Sequence, residues 1–240
     1  MEPPLQTALR QRVSIRKCIQ YRDVCKCYNQ PVSTEAVSAR RAATRERLME
    51  AAIEVFAERG VLAGSVEDIC ERAGFTRGAF YSNFDSRDDL CLAVLGRQAD
   101  QCLQATLAAV AVADAADDST DVDRLIDAAV ALFVTTQPSD PAWLIAHSEL
   151  RLHAARNPAL RDAFNELEDR VGAAISEVMG EALQRAGARL SVPLDQAVEM
   201  LHAIYEHSAL TAVIQGRRSA EDVRTQQLTA VFRAMLVNPA

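Results

Sequence analysis

Arg77, Gly78, Ala79, Tyr81, Ser82 and Asn83 crowd into the stretch TRGAFYSNF, residues 76–84. A guanidinium at Arg77 can donate to guanine O6 and N7 together, and the Ala79 methyl can touch a thymine methyl. Gly78 lets a backbone come close. Tyr81 and Asn83 suit phosphate oxygens, which set register without reading sequence. This is the chemistry of a DNA reader, provided a short helix turns these side chains outward.

The neighbouring residues supply that helix. Phe80 and Phe84 lie four apart and can point inward, and Thr76 is a good helix cap. Just upstream, Val66, Ile69, Cys70 and Ala73 fall at i, i+3, i+4 and i+7, so one side of a first short helix is apolar. Ser65 caps it, Asp68 follows three residues later, and Gly74 closes it in the left-handed conformation. Two capped helices joined by a tight turn make a helix-turn-helix. Before them, 44–60 reads as a helix opened by Thr44, striped by Leu48, Ala51, Ala52, Val55 and Phe56, and stopped by Gly60. After them, SRDDL repeats the capping logic with Ser86, and Arg87 stands in the first turn of a long helix to about 112.

The ordered strings LxxAAxxVFxxxG, SVxDI, ERAGFTRGAFYxxF and SRxDL, spread over residues 44–95, closely resemble the DNA-binding domain of the TetR (tetracycline-repressor-like) family of bacterial transcriptional regulators. The resemblance implies an all-α fold: a three-helix helix-turn-helix domain followed by a helical domain for ligand binding and dimerisation. The expected limits are 1–42 for a poorly ordered basic extension, 43–90 for the DNA-binding domain and 91–240 for the remainder. It also implies phosphate contacts from Thr44 and Arg87. The DNA-binding set is then Arg40, Arg41, Thr44, Arg45, Ser65, Thr76, Arg77, Gly78, Ala79, Tyr81, Ser82, Asn83 and Arg87. One departure stands out: Gly64 occupies a position where many family members carry Thr or Ser. A hydroxyl contact to phosphate is lost there, and Ser65 caps alone.

Helical spacing continues through the rest of the chain, in segments near 122–136, 142–156 and 158–186 and in two further helices, and no strands are expected. By resemblance, the middle helices enclose an effector cavity. Trp143 and His147 lie four apart and Leu150 continues their face; with Leu103, Leu107 and Phe133 they form the expected ligand wall. The last two helices form the expected dimer interface through Leu194, Val198, Leu201, Tyr205, Leu228, Val231, Phe232 and Met235. A two-fold pair would read half-sites about one DNA turn, ~34 Å, apart.

The formal net charge is −7, split as +5 over residues 1–42, −4 over 43–90 and −8 beyond. DNA affinity depends on where cations meet phosphates rather than on the total, and Arg40, Arg41, Arg45, Arg77 and Arg87 are well placed. Six cysteines at 18, 25, 27, 70, 91 and 102 match neither a zinc ribbon nor a redox pair. Nothing signals catalysis: His147 and His153 are six apart, on opposite sides of a helix, not the i, i+4 pairing of a helical zinc site. No apolar run approaches the ~18 residues of a membrane span, and no secretory signal opens the chain.

These features predict a cytoplasmic, homodimeric, sequence-specific regulator binding a pseudo-palindromic operator in double-stranded DNA. It is a repressor released by a small effector, with no cofactor, metal or enzymatic activity. The alternative is a helical interaction module that does not depend on DNA, sensing oxidation through Cys18, Cys25 and Cys27.

Overall fold

The computed structural model describes residues 35–116, 122–185, 187–217 and 221–237. Two compact units, 1–43 and 44–240, are taken separately. Among the described residues there are nine helices: α1 (Glu35–Ala63), α2 (Val66–Ala73), α3 (Arg77–Tyr81), α4 (Arg87–Ala116), α5 (Val122–Thr136), α6 (Pro141–Arg156), α7 (Pro158–Arg185), α8 (Leu194–Ile214) and α9 (Glu221–Met235).

Two boundaries differ from expectation. Residues 35–42, placed in the extension, are helical, because EAVSARRA contains good helix formers and neither Gly nor Pro. Thr44 is therefore inside α1 and not at its cap. Gly60 is non-helical at φ 77° and ψ 162°, so the first stretch of α1 stops there as expected and a short further turn of helix follows to Ala63. Helix α3 stops at Tyr81, short of Phe84, with Ser82 as its last cap. A two-residue antiparallel pair also forms, Arg189 opposite Val237 and Leu190 opposite Leu236, too short to show as alternation in the sequence. Cys18, Cys25 and Cys27 lie outside the described residues.

One apolar core runs through unit 44–240. Leu48, Ala52, Phe56 and Val61 of α1, Ile69 of α2, Phe80 of α3, Phe84, and Leu90 and Val94 of α4 are all sealed from solvent. Beyond them α4 packs on α5 and α7, α6 on α7 and α8, and α5 on α9. Helix α4 thus belongs to both halves: its first turns close the helix-turn-helix core, and its later turns wall the body.

Candidate DNA-reading surface and effector cavity

Helix α2 begins with a reciprocal capping box. Ser65 Oγ accepts from the Asp68 amide at 3.1 Å, and Asp68 Oδ2 accepts from the Ser65 amide at 3.0 Å. The Ser65 hydroxyl also donates to that carboxylate at 2.6 Å, and these bonds hold the Asp68 pKa below its ordinary value. Ser65 was expected to touch DNA, but its hydroxyl is already committed as donor and acceptor. Gly74 ends the helix at φ 71°, with Phe75 N–H donating to Cys70 C=O at 2.9 Å and Gly74 N–H to Glu71 C=O at 3.2 Å. Arg47 completes the turn: its Nη2 donates to Ala73 C=O at 2.7 Å and its guanidinium lies 4.7 Å from the Phe75 ring centroid.

Thr76 Oγ1 accepts from the Ala79 amide at 3.2 Å and so starts α3. Phe80 and Phe84 are buried with centroids 5.7 Å apart, fixing the face that looks inward. The opposite face presents Thr76, Arg77, Gly78, Tyr81 and Ser82 to solvent, with Ala79 half-buried. Arg77 reaches back to Glu67 at 2.7 Å. Asn83 departs from the expected outward position: it is buried, and its Nδ2 donates to Ala79 C=O at 2.8 Å. The helix has already ended, so the chain turns Asn83 inward to satisfy that carbonyl.

Arg45 and Arg87, expected on phosphates, are occupied by backbone carbonyls. Arg45 Nη1 donates to Asn83 C=O, with its guanidinium 4.2 Å from the Phe84 centroid. Arg87 Nη1 donates to Gly64 C=O at 3.2 Å. Carbonyls at helix ends have no partner within the helix, and an arginine fork satisfies them. Both side chains position the reader in this state. Gly64 itself is required by packing: a Cβ there would sit 2.9 Å from Val55 Cγ1 and 3.2 Å from Gly60 O. Arg40 and Arg41 are exposed.

Several polar contacts join the helix-turn-helix to the body. Asp88, at the start of α4, takes His153 Nε2 at 2.9 Å and Asn157 Nδ2 at 2.9 Å. The Val61 amide donates to Glu149 Oε2 at 3.4 Å, and Arg97 pairs with Glu46 at 3.0 Å. Helix α6 supplies Glu149 and His153, and Asn157 caps its end.

The other end of α6 walls a cavity of about 70 Å³. Trp143, Leu144 and His147 line it from α6, Leu95, Ala99 and Cys102 from α4, and Phe164, Leu167, Glu168 and Val171 from α7. His202, Tyr205 and Glu206 line it from α8. The Trp143 and His147 rings stack with centroids 5.2 Å apart. Burial lowers the His147 pKa to about 4 and also pushes His202 down, so both imidazoles are neutral at pH 7. Glu206 is paired with Arg151.

Of the six expected ligand residues, Trp143 and His147 line this cavity; the other four do not. On α4 the inward face is Leu95, Ala99 and Cys102, which rotates Leu103 and Leu107 to half-buried positions beside it. Leu150 is core, 1% exposed. Phe133 stands edge-on to Tyr205 at 6.0 Å and lines a smaller void with Leu228 and Phe232. The expectation missed Glu168, His202 and Glu206. The signal available for the last two was a polar i, i+4 pair inside an apolar helix, on the turn that carries Tyr205.

The expected dimer residues also need correction. Val198, Leu201, Tyr205, Leu228, Phe232 and Met235 are buried in the chain's own core, and Leu194 and Val231 are half-buried. The most apolar stripe of each helix is taken by the protomer itself. The apolar surface left outside comprises Met200, Ala203 and Ile214 on α8 and Val223, Ala230 and Ala234 on α9. Cys70, Cys91 and Cys102 are buried thiols whose pKa burial raises, for Cys91 to about 12. No helix among the described residues is long and apolar enough to cross a membrane.

A capped helix-turn-helix with an outward reader, set on a helical body with a walled cavity, defines a one-component DNA-binding regulator. Residues 48–94 match the model for bacterial regulatory proteins of the tetR family, and residues 120–237 match that for the tetracyclin repressor-like C-terminal domain. The chain belongs to the TetR family, whose members are ligand-responsive, DNA-binding transcriptional regulators. It is 28% identical over 170 residues to the HTH-type transcriptional repressor BepR of Brucella suis biovar 1 (strain 1330), a match spanning 69% of this chain and 78% of that protein. To the transcriptional activator FasR of Mycolicibacterium smegmatis it is 36% identical over 89 residues, covering 37% of this chain and only 38% of that one. The fold matches the fatty acid degradation regulator FadR from Bacillus halodurans with a TM-score of 0.64 at 18% identity, over 78% of this chain and 94% of that one. FadR from Bacillus subtilis, in complex with stearoyl-CoA, matches at 0.59 and 18%, over 78% of this chain and 98% of that one.

Proposed function

We propose that the chain is a homodimeric repressor whose α3 helices enter two successive major grooves, and that a small molecule entering the α4–α6–α7–α8 cavity releases it. The observation that carries this reading is the outward face Thr76, Arg77, Gly78, Tyr81 and Ser82, held by two buried phenylalanines and two arginine clamps. Arg77 supplies the base-edge contact and Tyr81 a phosphate contact. Arg40 and Arg41 are added on charge alone. Two copies associate through the outer faces of α8 and α9, where Ala203, Ala230 and Ala234 allow close approach and Met200, Ile214 and Val223 supply apolar area.

Helix α6 accounts for coupling. Its first turns carry Trp143 and His147 on the cavity wall, and its last turns carry Glu149 and His153 against Val61 and Asp88. A ligand that moves α6 strains both links at once, and a change in the angle of α4 separates the two readers. Coupling requires that the ligand bind the DNA-incompetent arrangement more tightly than the competent one.

Retardation of DNA from the chain's own promoter region, titrated with salt, tests the proposal. Affinity must fall steeply as salt rises, and the bound species must contain two chains. Salt-insensitive binding, or a single chain on the DNA, refutes it.

A further inference from the structure

We infer that the cavity is built for a small organic cation, a protonated amine or amidine on a flat aromatic or short apolar body. This deepens the reading of the chain as a ligand-responsive regulator and rests on it.

The charge of the lining points one way. Glu168 and Glu206 both face the cavity. Glu206 Oε1 lies 3.2 Å from His147 Nδ1 and 3.7 Å from His202 Nε2, yet neither ring makes a hydrogen bond to it, which leaves that buried oxygen without a donor. Glu168 has no hydrogen bond or ion pair among the described residues. Arg151 neutralises Glu206 from a half-exposed position outside the lining, and no cation in the lining answers Glu168. The two imidazoles, neutral through burial, add no positive charge at pH 7. A buried acceptor without a donor is costly, and a carboxylate in an apolar setting seeks a cation.

The shape agrees. Trp143, Phe164 and Tyr205 line the same space, and although Trp143 stacks on His147 and Arg224 lies 5.0 Å from the Tyr205 centroid, a cation against an unoccupied aromatic face gains further attraction. At about 70 Å³ the cavity is smaller than the roughly 150 Å³ that a benzene-sized ring fills, so a ring with a short arm enters only as the walls give, and a long acyl chain would require α4 and α7 to part. An anionic ligand would meet the uncompensated carboxylate of Glu168.

Trp143 is the chain's one tryptophan, so its emission reports this cavity alone. The full chain is titrated with phenethylammonium, with the uncharged phenethyl alcohol and with 3-phenylpropionate, while retardation of promoter DNA is followed in the same samples. The ammonium is expected to bind about tenfold tighter than the alcohol, with the carboxylate weakest. Glu168→Gln should bring ammonium and alcohol within about twofold, and Glu168→Asp should keep part of the preference. Equal or tighter binding of the alcohol or carboxylate overturns the inference. So does the absence of any saturable Trp143 response into the millimolar range. The selectivity of the unaltered chain decides the matter even if a variant fails to fold. Failure of the unliganded chain to retard promoter DNA counts instead against the regulator reading, so the two failures are distinct.

Discussion

Arg77 is held before DNA arrives, and what holds it sets how DNA binding responds to two opposite substitutions. Its Nη1 lies 2.7 Å from Glu67 Oε1, with the two side chains 61% and 56% exposed, and its guanidinium is 5.9 Å from the Tyr81 ring centroid. An ion pair so exposed contributes little to stability, so exchanging it for guanine O6 and N7 sacrifices little. The gain from a bidentate guanine contact corresponds to roughly five- to a hundredfold in affinity for the correct base. Arg77→Ala should weaken operator binding by that factor and flatten preference at one position per half-site, with melting almost unchanged. Glu67→Gln should act the other way, tightening binding about two- to fivefold, because Arg77 loses its competitor and a negative charge leaves the phosphate-facing surface. Combined with Arg77→Ala, most of the Glu67→Gln gain should vanish, since it acts through the missing guanidinium. Fluorescence anisotropy with labelled operator at two salt concentrations reads all four proteins. The reasoning is wrong if Arg77→Ala binds within twofold with its sequence preference intact, or if Glu67→Gln weakens binding.

Gly78 gives a cleaner separation of folding from function. A Cβ there meets only Thr76 Oγ1 at 3.7 Å, so Gly78→Ala should keep or slightly raise the melting temperature yet cost about tenfold in DNA affinity as the methyl holds the backbone away. Calorimetry and anisotropy together check it. His147, lowered by burial to about 4 from 6.5, stays neutral in the folded chain at a pH where the unfolded chain takes up a proton. Its neutral state is therefore without penalty above pH 6.5, and stability should fall by about 3 kcal/mol as pH drops from 6.5 to about 4. Urea unfolding across that range should show a slope that His147→Gln reduces. At the outer face of α8, Ile214 is 77% and Met200 38% exposed; replacing both with Glu should leave a folded monomer in sedimentation and abolish cooperative operator binding.

Local rules made the reader legible in the chain. Ser65, Asp68, Gly74 and Thr76 announce the two short helices because capping is settled between residues three or four apart, and that geometry survives any tertiary setting. Phe80 and Phe84 announce the buried face for the same reason. Properties decided between distant residues were not legible. Nothing in the spacing of Arg45 shows that it would hold the carbonyl of Asn83, 38 residues on, or that the capping hydroxyl of Ser65 would be fully occupied. Gly64 looked like the loss of a phosphate contact, and it is a place where Val55 leaves no room for a side chain.

The same division runs through the body. Periodicity marks which residues of α8 and α9 are apolar, but an amphipathic stripe does not say whether its own chain or a second copy will cover it. The fold gave Val198, Leu201, Tyr205, Leu228 and Phe232 to the protomer. Periodicity likewise marked Leu103 and Leu107, while a rotation of α4 by one residue turned Cys102 and Ala99 to the cavity in their place. From the sequence alone came most of the helices, the caps of α2 and α3 and the outward face proposed to read DNA, because those depend on neighbours along the chain. The cavity's charge, the clamps behind the reader and the face left for a partner emerged only on folding, because each depends on which distant helices meet and at what rotation.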